Sequence, residues 1–509
     1  VEPLPVAPAS QPAAAETPQT KDGLKDQALR SGYVRVGAQF LLVALRLSAM
    51  VILARLLTPA DFGLFAMVTT LTAFVESFRD FGLPMALIHE QSPSSSQQDA
   101  LFRLSLRLNL VLVGALIISA PLLAAFYREP RLIPMTLVCA VGLFIVGLSA
   151  QHEALLMRQF RFGLVTLIEI GSMVVSLIAA IVAAWLGADY WALVCQFVVM
   201  NGVRSMWTWW ACPWRPQWRG DPEGDSVVRS MVKYSRDLTA SRILNYLTRN
   251  LDTIGVGYVA GTGALGLYDR AYQWTQLPVR QLYGTLLSVA VASLSRVRHD
   301  AEQYRQYCQS AMLPVFALGL PPLAFIFVEA ESAVLLLLGT QWNDAVPLFR
   351  LMAISAYVGS LSMVTRWLYL AEGQTRRLLQ WNLITLPIML VAVIIGAQSG
   401  VYGIGLAFTV VTCVLTLPAI AYCLHTSPLT LRGFWGIVWR PLTASVLAGA
   451  ALSAIDSGLP EVNPLLLETF IKLALFGCVY LGVWLLLPSG WATLWRMLPS
   501  FQHRNVGKP

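Results

Sequence analysis

Charge is what this chain is short of. Asp, Glu, Lys and Arg make up 13% of its 509 residues, against about a quarter in an ordinary soluble domain. With 56% of the residues hydrophobic, that excludes a fold surrounded by water. Close cysteine pairs are missing too. The seven cysteines (Cys139, Cys195, Cys212, Cys308, Cys413, Cys423 and Cys478) are scattered in or beside apolar segments, which excludes a disulfide framework and a thiolate metal site. The five histidines are isolated from one another. No G-x-x-x-x-G-K-[ST] phosphate loop occurs, so the chain does not itself hydrolyse ATP. No G-x-S-x-G elbow or H-E-x-x-H helix occurs either. Long polar loops that could house a polymerase or transferase site are absent as well. Residues 1–20, rich in Pro, Ala, Thr and Gln, lack the charged start and apolar stretch of a secretory signal; they read as disordered.

What is present is a succession of apolar runs, each of about 20 residues and long enough to span a hydrocarbon layer of roughly 30 Å. A transmembrane β-barrel would alternate apolar and polar residues, and "LNLVLVGALIISAPLLAAF" does not. The fold class is therefore an all-α polytopic membrane protein. Fourteen spans are expected, near 34–57, 62–86, 105–127, 131–151, 163–186, 190–211, 237–260, 264–293, 309–338, 346–370, 378–397, 401–424, 434–455 and 466–487. The net charge of +8 does not point to nucleic acid, because the basic residues sit between apolar segments instead of forming one patch. They alternate in side: Arg103, Arg158, Arg219, Arg298, Arg376 and Arg432 all fall on one face. The positive-inside rule makes that face cytoplasmic, with both termini on it.

An internal repeat divides the chain. "LLTPADFGLF" (56–65) aligns with "VAGTGALGLY" (259–268) at an offset of 203. Two pseudo-symmetric six-helix lobes follow, at 24–211 and 237–424, with a cytoplasmic linker at 212–236 between them. A disordered extension at 1–23 precedes them. Two C-terminal helices at 425–490 and a cytoplasmic tail at 491–509 follow. The offset places Arg46 over Arg249 and Gln39 over Arg242, which suggests a shared central cavity.

The costliest stretch is "SRILNYLTRNLDTIG" (241–255). On a helical wheel Ser241, Arg242, Asn245, Thr248, Arg249 and Asp252 fall within about 60° of Asn245. An arginine at the bilayer centre costs roughly 2.5–3.5 kcal/mol, so this face is expected to meet water, a counter-charge or a substrate. Arg249 and Asp252, three residues apart, are placed to pair. Glu76 and Asp80 share a face of the second span. Tyr268 and Tyr272 share a face of the eighth, with Asp269, Arg270 and Arg280 nearby and Pro278 as an expected kink. Glu169 and Arg366 are further intramembrane charges. Snorkelling to the headgroups accounts equally well for Arg366.

Three stretches resemble a known family. "ILARLLTPADFGLFAMV" (52–68), "LTASRILNYLTRNLDTIGVGYVAGTGALGLYDRAY" (238–272) and "LGTQWNDAVPLFRLMA" (338–353) are similar, in this order, to segments of Wzx-type polysaccharide repeat-unit flippases, in particular the WzxC-like branch. Members often read Phe-Pro after the eighth helix, where this chain has "VAVASLSRV". The resemblance implies the multidrug/oligosaccharidyl-lipid/polysaccharide exporter fold in a bacterial inner membrane. It implies an undecaprenyl-pyrophosphate-linked oligosaccharide as substrate, carried from the cytoplasmic to the periplasmic leaflet, with polysaccharide polymerase and export machinery as partners besides membrane lipids. It also implies a cationic substrate site. Arg46, Arg242 and Arg249 match the family's positions, and Gln39, Asn245, Tyr268, Arg270 and Tyr272 are added from the polar faces. No cofactor is implied beyond a coupling ion, H+ or Na+, for which Asp252, Glu76, Asp80 and Asp269 are the candidates. Two other readings stay open: a small-molecule or multidrug exporter of the same fold, and an integral-membrane polysaccharide polymerase.

Overall fold

The computed structural model describes residues 21–79, 95–159, 161–217, 222–456 and 464–497. Among the described residues every regular element is helical. The order is α1 (Lys21–Leu56), α2 (Pro59–Arg79), α3 (Ser95–Tyr127), α4 (Leu132–Arg158), α5 (Phe162–Trp185) and α6 (Trp191–Ala211). The element α7 (Pro222–Arg296) follows. Then come α8 (Ala301–Val328), α9 (Ala330–Leu337), a 3-10 turn (Thr340–Ala345), α10 (Val346–Met363), α11 (Thr365–Ala371), α12 (Thr375–Ala397) and α13 (Gly400–Leu424). The last three are α14 (Leu431–Asp456), α15 (Leu465–Leu486) and α16 (Gly490–Met497). Residues 1–20 and Asp80 lie outside the described residues.

Ten segments among the described residues are long and apolar enough to cross a membrane, so the chain is a multi-pass membrane protein. α1, α6 and both arms of α7 are not among the ten; the α7 arms contain Arg249, Asp252, Asp269, Arg270 and Arg280, whose polarity lowers their mean hydropathy. The count of ten therefore reflects the polar lining of these helices as well as the topology. Outward faces are apolar, as lipid contact requires: Ile118 and Leu122 on α3 are 73% and 69% exposed.

The 75 residues of α7 form a hairpin. Gly261 leaves helical geometry with φ 77° and ψ −169°, a region open essentially to glycine alone. The reversal is demonstrated by a hydrogen bond: the Tyr268 hydroxyl donates to Asp252 Oδ2 at 2.6 Å. Sixteen residues of straight helix would hold these groups about 24 Å apart. Pro278, the expected kink, lies within the second arm.

The α1–α2 hairpin is built by local capping. The Thr58 backbone N–H and hydroxyl both donate to Asp61 Oδ2, at 2.9 and 2.6 Å, and Pro59 occupies the first helical position, where its missing N–H costs nothing. This hairpin then meets the Gly261 hairpin backbone to backbone. A Cβ on Gly63 would overlap the Thr262 carbonyl oxygen, and a Cβ on Gly266 would overlap that of Pro59. Gly63 and Gly266 differ by 203, and so do Pro59 and Thr262. The contact is reciprocal, so the sequence repeat is realised as a pseudo-two-fold crossing.

The third signature stretch seals the same end. Trp342 Nε1 and Gln341 Nε2 donate to the Ala54 carbonyl at 2.9 and 2.6 Å, and Gln341 also reaches the Leu57 carbonyl at 3.1 Å. These carbonyls close α1 and would otherwise be orphaned. Trp342 is fully buried and packs edge-on against Phe62. The C-terminal α15 is tied to the bundle by Lys472, which bridges Glu329 at 3.4 Å and Glu468 at 3.0 Å, and by the Tyr480 hydroxyl, which donates to the Ala317 carbonyl.

Gly63→Leu and Gly266→Leu should each destabilise the folded protein by about 1–3 kcal/mol through forced separation of the backbones. Because both act on one crossing, the double variant should lose much less than the two losses combined. Unfolding in detergent measures this, and strict additivity would contradict a shared crossing.

Candidate functional site

Among the described residues two polar cavities adjoin inside the bundle. The first, of 620 Å³, lies among α1, α2, α5, α6 and the α7 hairpin and is lined by Arg46, Thr69, Asn250, Asp269, Arg270 and Gln281 among others. The second, of 470 Å³, lies between the α7 hairpin and α10 to α13 and is lined by Arg249, Arg366, Trp381 and Asn382 among others. Tyr272 and Arg280 line both. The Arg280 guanidinium sits 5.5 Å from the Tyr272 ring centroid and donates to its hydroxyl at 3.4 Å. This pair is the seam between the chambers.

The chambers differ in charge. In the first, cations meet carboxylates. Arg46 Nη2 lies 3.0 Å from Glu169 Oε1, with the arginine side chain 46% exposed. Arg270 Nη2 lies 2.7 Å from Asp269 Oδ2, and its guanidinium caps the Phe62 ring at 4.5 Å, a cation–π contact. Gln273 donates to both oxygens of Asp269, at 3.1 and 2.9 Å. The Tyr246 hydroxyl donates to the Thr70 carbonyl. In the second chamber Arg249, Arg280 and Arg366 line the void, and no carboxylate is found among its described lining residues. Aromatic surface supports it: Tyr283 stacks on Trp367 at 5.3 Å, and Trp381 on Tyr422 at 5.6 Å.

The residues singled out in the sequence are distributed as follows. Arg46, Asp269, Arg270 and Tyr272 line the first chamber, and Arg249 lines the second with Tyr272. Arg46 and Arg249 thus line adjoining chambers that meet at Tyr272 and Arg280. Arg249 does not pair with Asp252. Asp252 is 1% exposed and bonds to Tyr268, which is fully buried. Both face the interior of the hairpin, because the reversal at Gly261 sets the second arm against that side of the first. Gln39 and Glu76 are half-buried and line neither chamber. The side chains of Arg242 and Asn245, and all of Asp80, lie outside the described residues.

Sequence reasoning missed the partnership of Arg46 with Glu169, 123 positions apart, for which no local signal exists. It noted Arg280 and Arg366 without assigning them. Their signal was charge inside an apolar run, and snorkelling explained that equally well. Trp381 and Asn382 carried none.

Tyr268→Phe should lower stability by about 1–3 kcal/mol, because Asp252 would lose the hydrogen bond from the Tyr268 hydroxyl while its other oxygen is already buried without a partner. Chemical unfolding in detergent measures the loss; an unchanged midpoint would contradict this assignment.

Comparison with known proteins follows the same lines. The model of a family described as polysaccharide biosynthesis protein matches residues 52–347. The lipopolysaccharide biosynthesis protein WzxC of Escherichia coli is 23% identical over 419 residues, spanning 80% of this chain and 83% of its own. The succinoglycan biosynthesis transport protein ExoT of Rhizobium meliloti is 24% identical over 400 residues, 78% of this chain and 80% of its own. In three dimensions the lipid II flippase MurJ, in an inward closed conformation, superimposes with a TM-score of 0.66 at 12% identity, covering 89% of this chain and 98% of that one. The two share a fold.

Proposed function

The chain belongs to the polysaccharide biosynthesis protein family, and from that premise we propose that it is a flippase for a lipid-linked oligosaccharide. Its substrate is a sugar repeat unit joined through a diphosphate to a polyprenyl chain. It is carried from the cytoplasmic to the outer leaflet of a bacterial inner membrane for polysaccharide biosynthesis. The observation that carries the reading is the pair of adjoining polar chambers at the heart of the helical bundle, with guanidinium groups in both. Stripping water from a diphosphate and its sugars forbids passage through hydrocarbon. Guanidinium groups replace that water with planar donors matched to phosphate oxygens. The polyprenyl tail stays in lipid while the head travels inside. The names of WzxC and ExoT, and the lipid II flippase of like fold, support the same substrate class.

Transport alternates access. The crossed hairpins hold one end closed, and the bias of Lys and Arg assigns that end to the outer side, with both termini cytoplasmic. A coupling cation, H+ or Na+, enters through competition: a carboxylate that takes up the ion releases its arginine to the substrate. Asp269 in its pair with Arg270 is the best-placed candidate of those considered. No bond is made or broken, so the protein is not an enzyme. It stands between the enzymes that assemble the repeat unit and the polymerase that joins repeats. An exporter of cationic small molecules is disfavoured by the guanidinium lining.

Arg249→Ala should reduce polymer export at least about tenfold at equal abundance in the membrane, the effect of removing one charge from a desolvated anion site. Complementation of a flippase-deficient strain measures this, and normal export at normal abundance would sink the reading. Purified protein in vesicles containing a labelled lipid-linked sugar separates transport from catalysis. Leaflet transfer without bond formation is expected, and bond formation would favour a polymerase.

A further inference from the structure

The two chambers are unequal in a way that assigns them different parts of the substrate. This inference rests on the flippase reading. In the first chamber the polar groups largely satisfy one another: Arg46 with Glu169, Arg270 and Gln273 with Asp269, Tyr246 with Thr70. Among its described lining residues, Arg270 Nε is the one buried polar side-chain atom without a partner. The second chamber leaves several of its polar atoms idle. Arg366 Nε, Asn382 Nδ2 and Ser355 Oγ are each buried with no hydrogen-bond partner, and all three residues line the same void. A buried donor left unmatched costs about 1–3 kcal/mol, and native proteins rarely gather several in one place without a ligand to receive them. Arg249, Arg280 and Arg366 add like charges that no described lining carboxylate offsets. The missing component is a compact, multivalent anion rich in acceptor oxygens.

We infer that the second chamber, through Arg249, Arg280, Arg366 and Asn382, is the diphosphate subsite, and that the first chamber receives the sugars. The chemistry of each lining fits its assignment. A diphosphate diester carries a negative charge on each phosphate and offers acceptors only, which suits donors without acceptors. Sugar hydroxyls both donate and accept. They suit a lining that mixes Asp269 with Asn250, Gln273 and Gln281, whose amides do the same. The diphosphate is bonded directly to the first sugar, so the two subsites must adjoin. They do, at the seam made by Tyr272 and Arg280.

The test uses the full-length purified protein in nanodiscs, with farnesyl diphosphate as a soluble probe that has the diphosphate and no sugar. Calorimetry should register binding by the wild type. Arg249→Ala and Arg366→Ala should each weaken it at least about tenfold, and Arg366→Lys should fall between, because it keeps the charge and loses the planar fork. Arg46→Ala should lose at least about threefold less than Arg366→Ala, since Arg46 faces the other chamber and is already paired. Inorganic pyrophosphate should compete with the probe, whereas phosphatidylglycerol should not. The placement is overturned if Arg366→Ala and Arg366→Lys both bind as the wild type does, or if Arg46→Ala loses as much as Arg366→Ala. Equal competition by phosphatidylglycerol would make the chamber a phospholipid headgroup pocket and also overturn it. Leaflet transfer of a lipid-linked sugar is scored separately on the same preparations. Transfer by the wild type with probe binding indifferent to Arg366 removes only the placement. No transfer by the wild type removes the flippase reading, whatever the binding shows.

Discussion

The architecture turns on two backbones touching. Gly63 and Gly266 allow the α1–α2 hairpin and the Gly261 hairpin to meet with no side chain between them. In a membrane, where lipid tails are as apolar as leucine, close packing of small residues is one of the few forces that hold helices together. Each glycine meets the carbonyl of the residue that begins the opposite helix, so the crossing joins both lobes on the same terms. The segment at 338–345 completes the seal by occupying the last carbonyls of α1. The three stretches that carry the family resemblance therefore meet at this one crossing.

That crossing is continuous with the chambers. The second arm of α7 carries Gly266 at the crossing, then Asp269, Arg270 and Tyr272, and then Arg280 at the seam. These positions lie within fourteen helical steps, or about 21 Å of a single helix. A rigid helix cannot separate from the crossing without moving the seam. The element that makes the crossing is thus the element that shapes both chambers, so any opening of the crossing would rearrange their lining.

Part of this was legible from the sequence. The apolar runs, the repeat at offset 203 and the intramembrane arginines are patterns within one segment or between two similar ones, and helical periodicity reads them directly. Where periodicity gave a face without a neighbour, expectation and structure part. Arg249 and Asp252 sit three residues apart, yet Asp252 is taken by Tyr268, because a reversal at a single glycine decides which arm confronts which. Glu169 meets Arg46 across 123 residues, a matter of how α5 packs on α1. Arg366 looked like a snorkelling side chain because its sequence neighbours show only an apolar run. Its membership of a cationic chamber depends on how α7 and α13, both remote in the chain, pack beside it and α12.

The repeat also clarifies why the halves differ. Arg46 and Arg249 occupy equivalent positions, but among the described residues only Arg46 of the two has a carboxylate partner. Equivalent halves with equivalent charges would bind an anionic head in either of two orientations, and a carrier indifferent to orientation would present its lipid tail on either side of the bundle. Neutralising one arginine and leaving the other free breaks that degeneracy. On the proposed placement the diphosphate goes to the unpaired cations, the sugars to the self-satisfied chamber, and the tail direction follows from the first choice. The fold keeps the symmetry of its hinge and discards the symmetry of its charge, because closure is served by two identical hairpins and recognition by two different chambers.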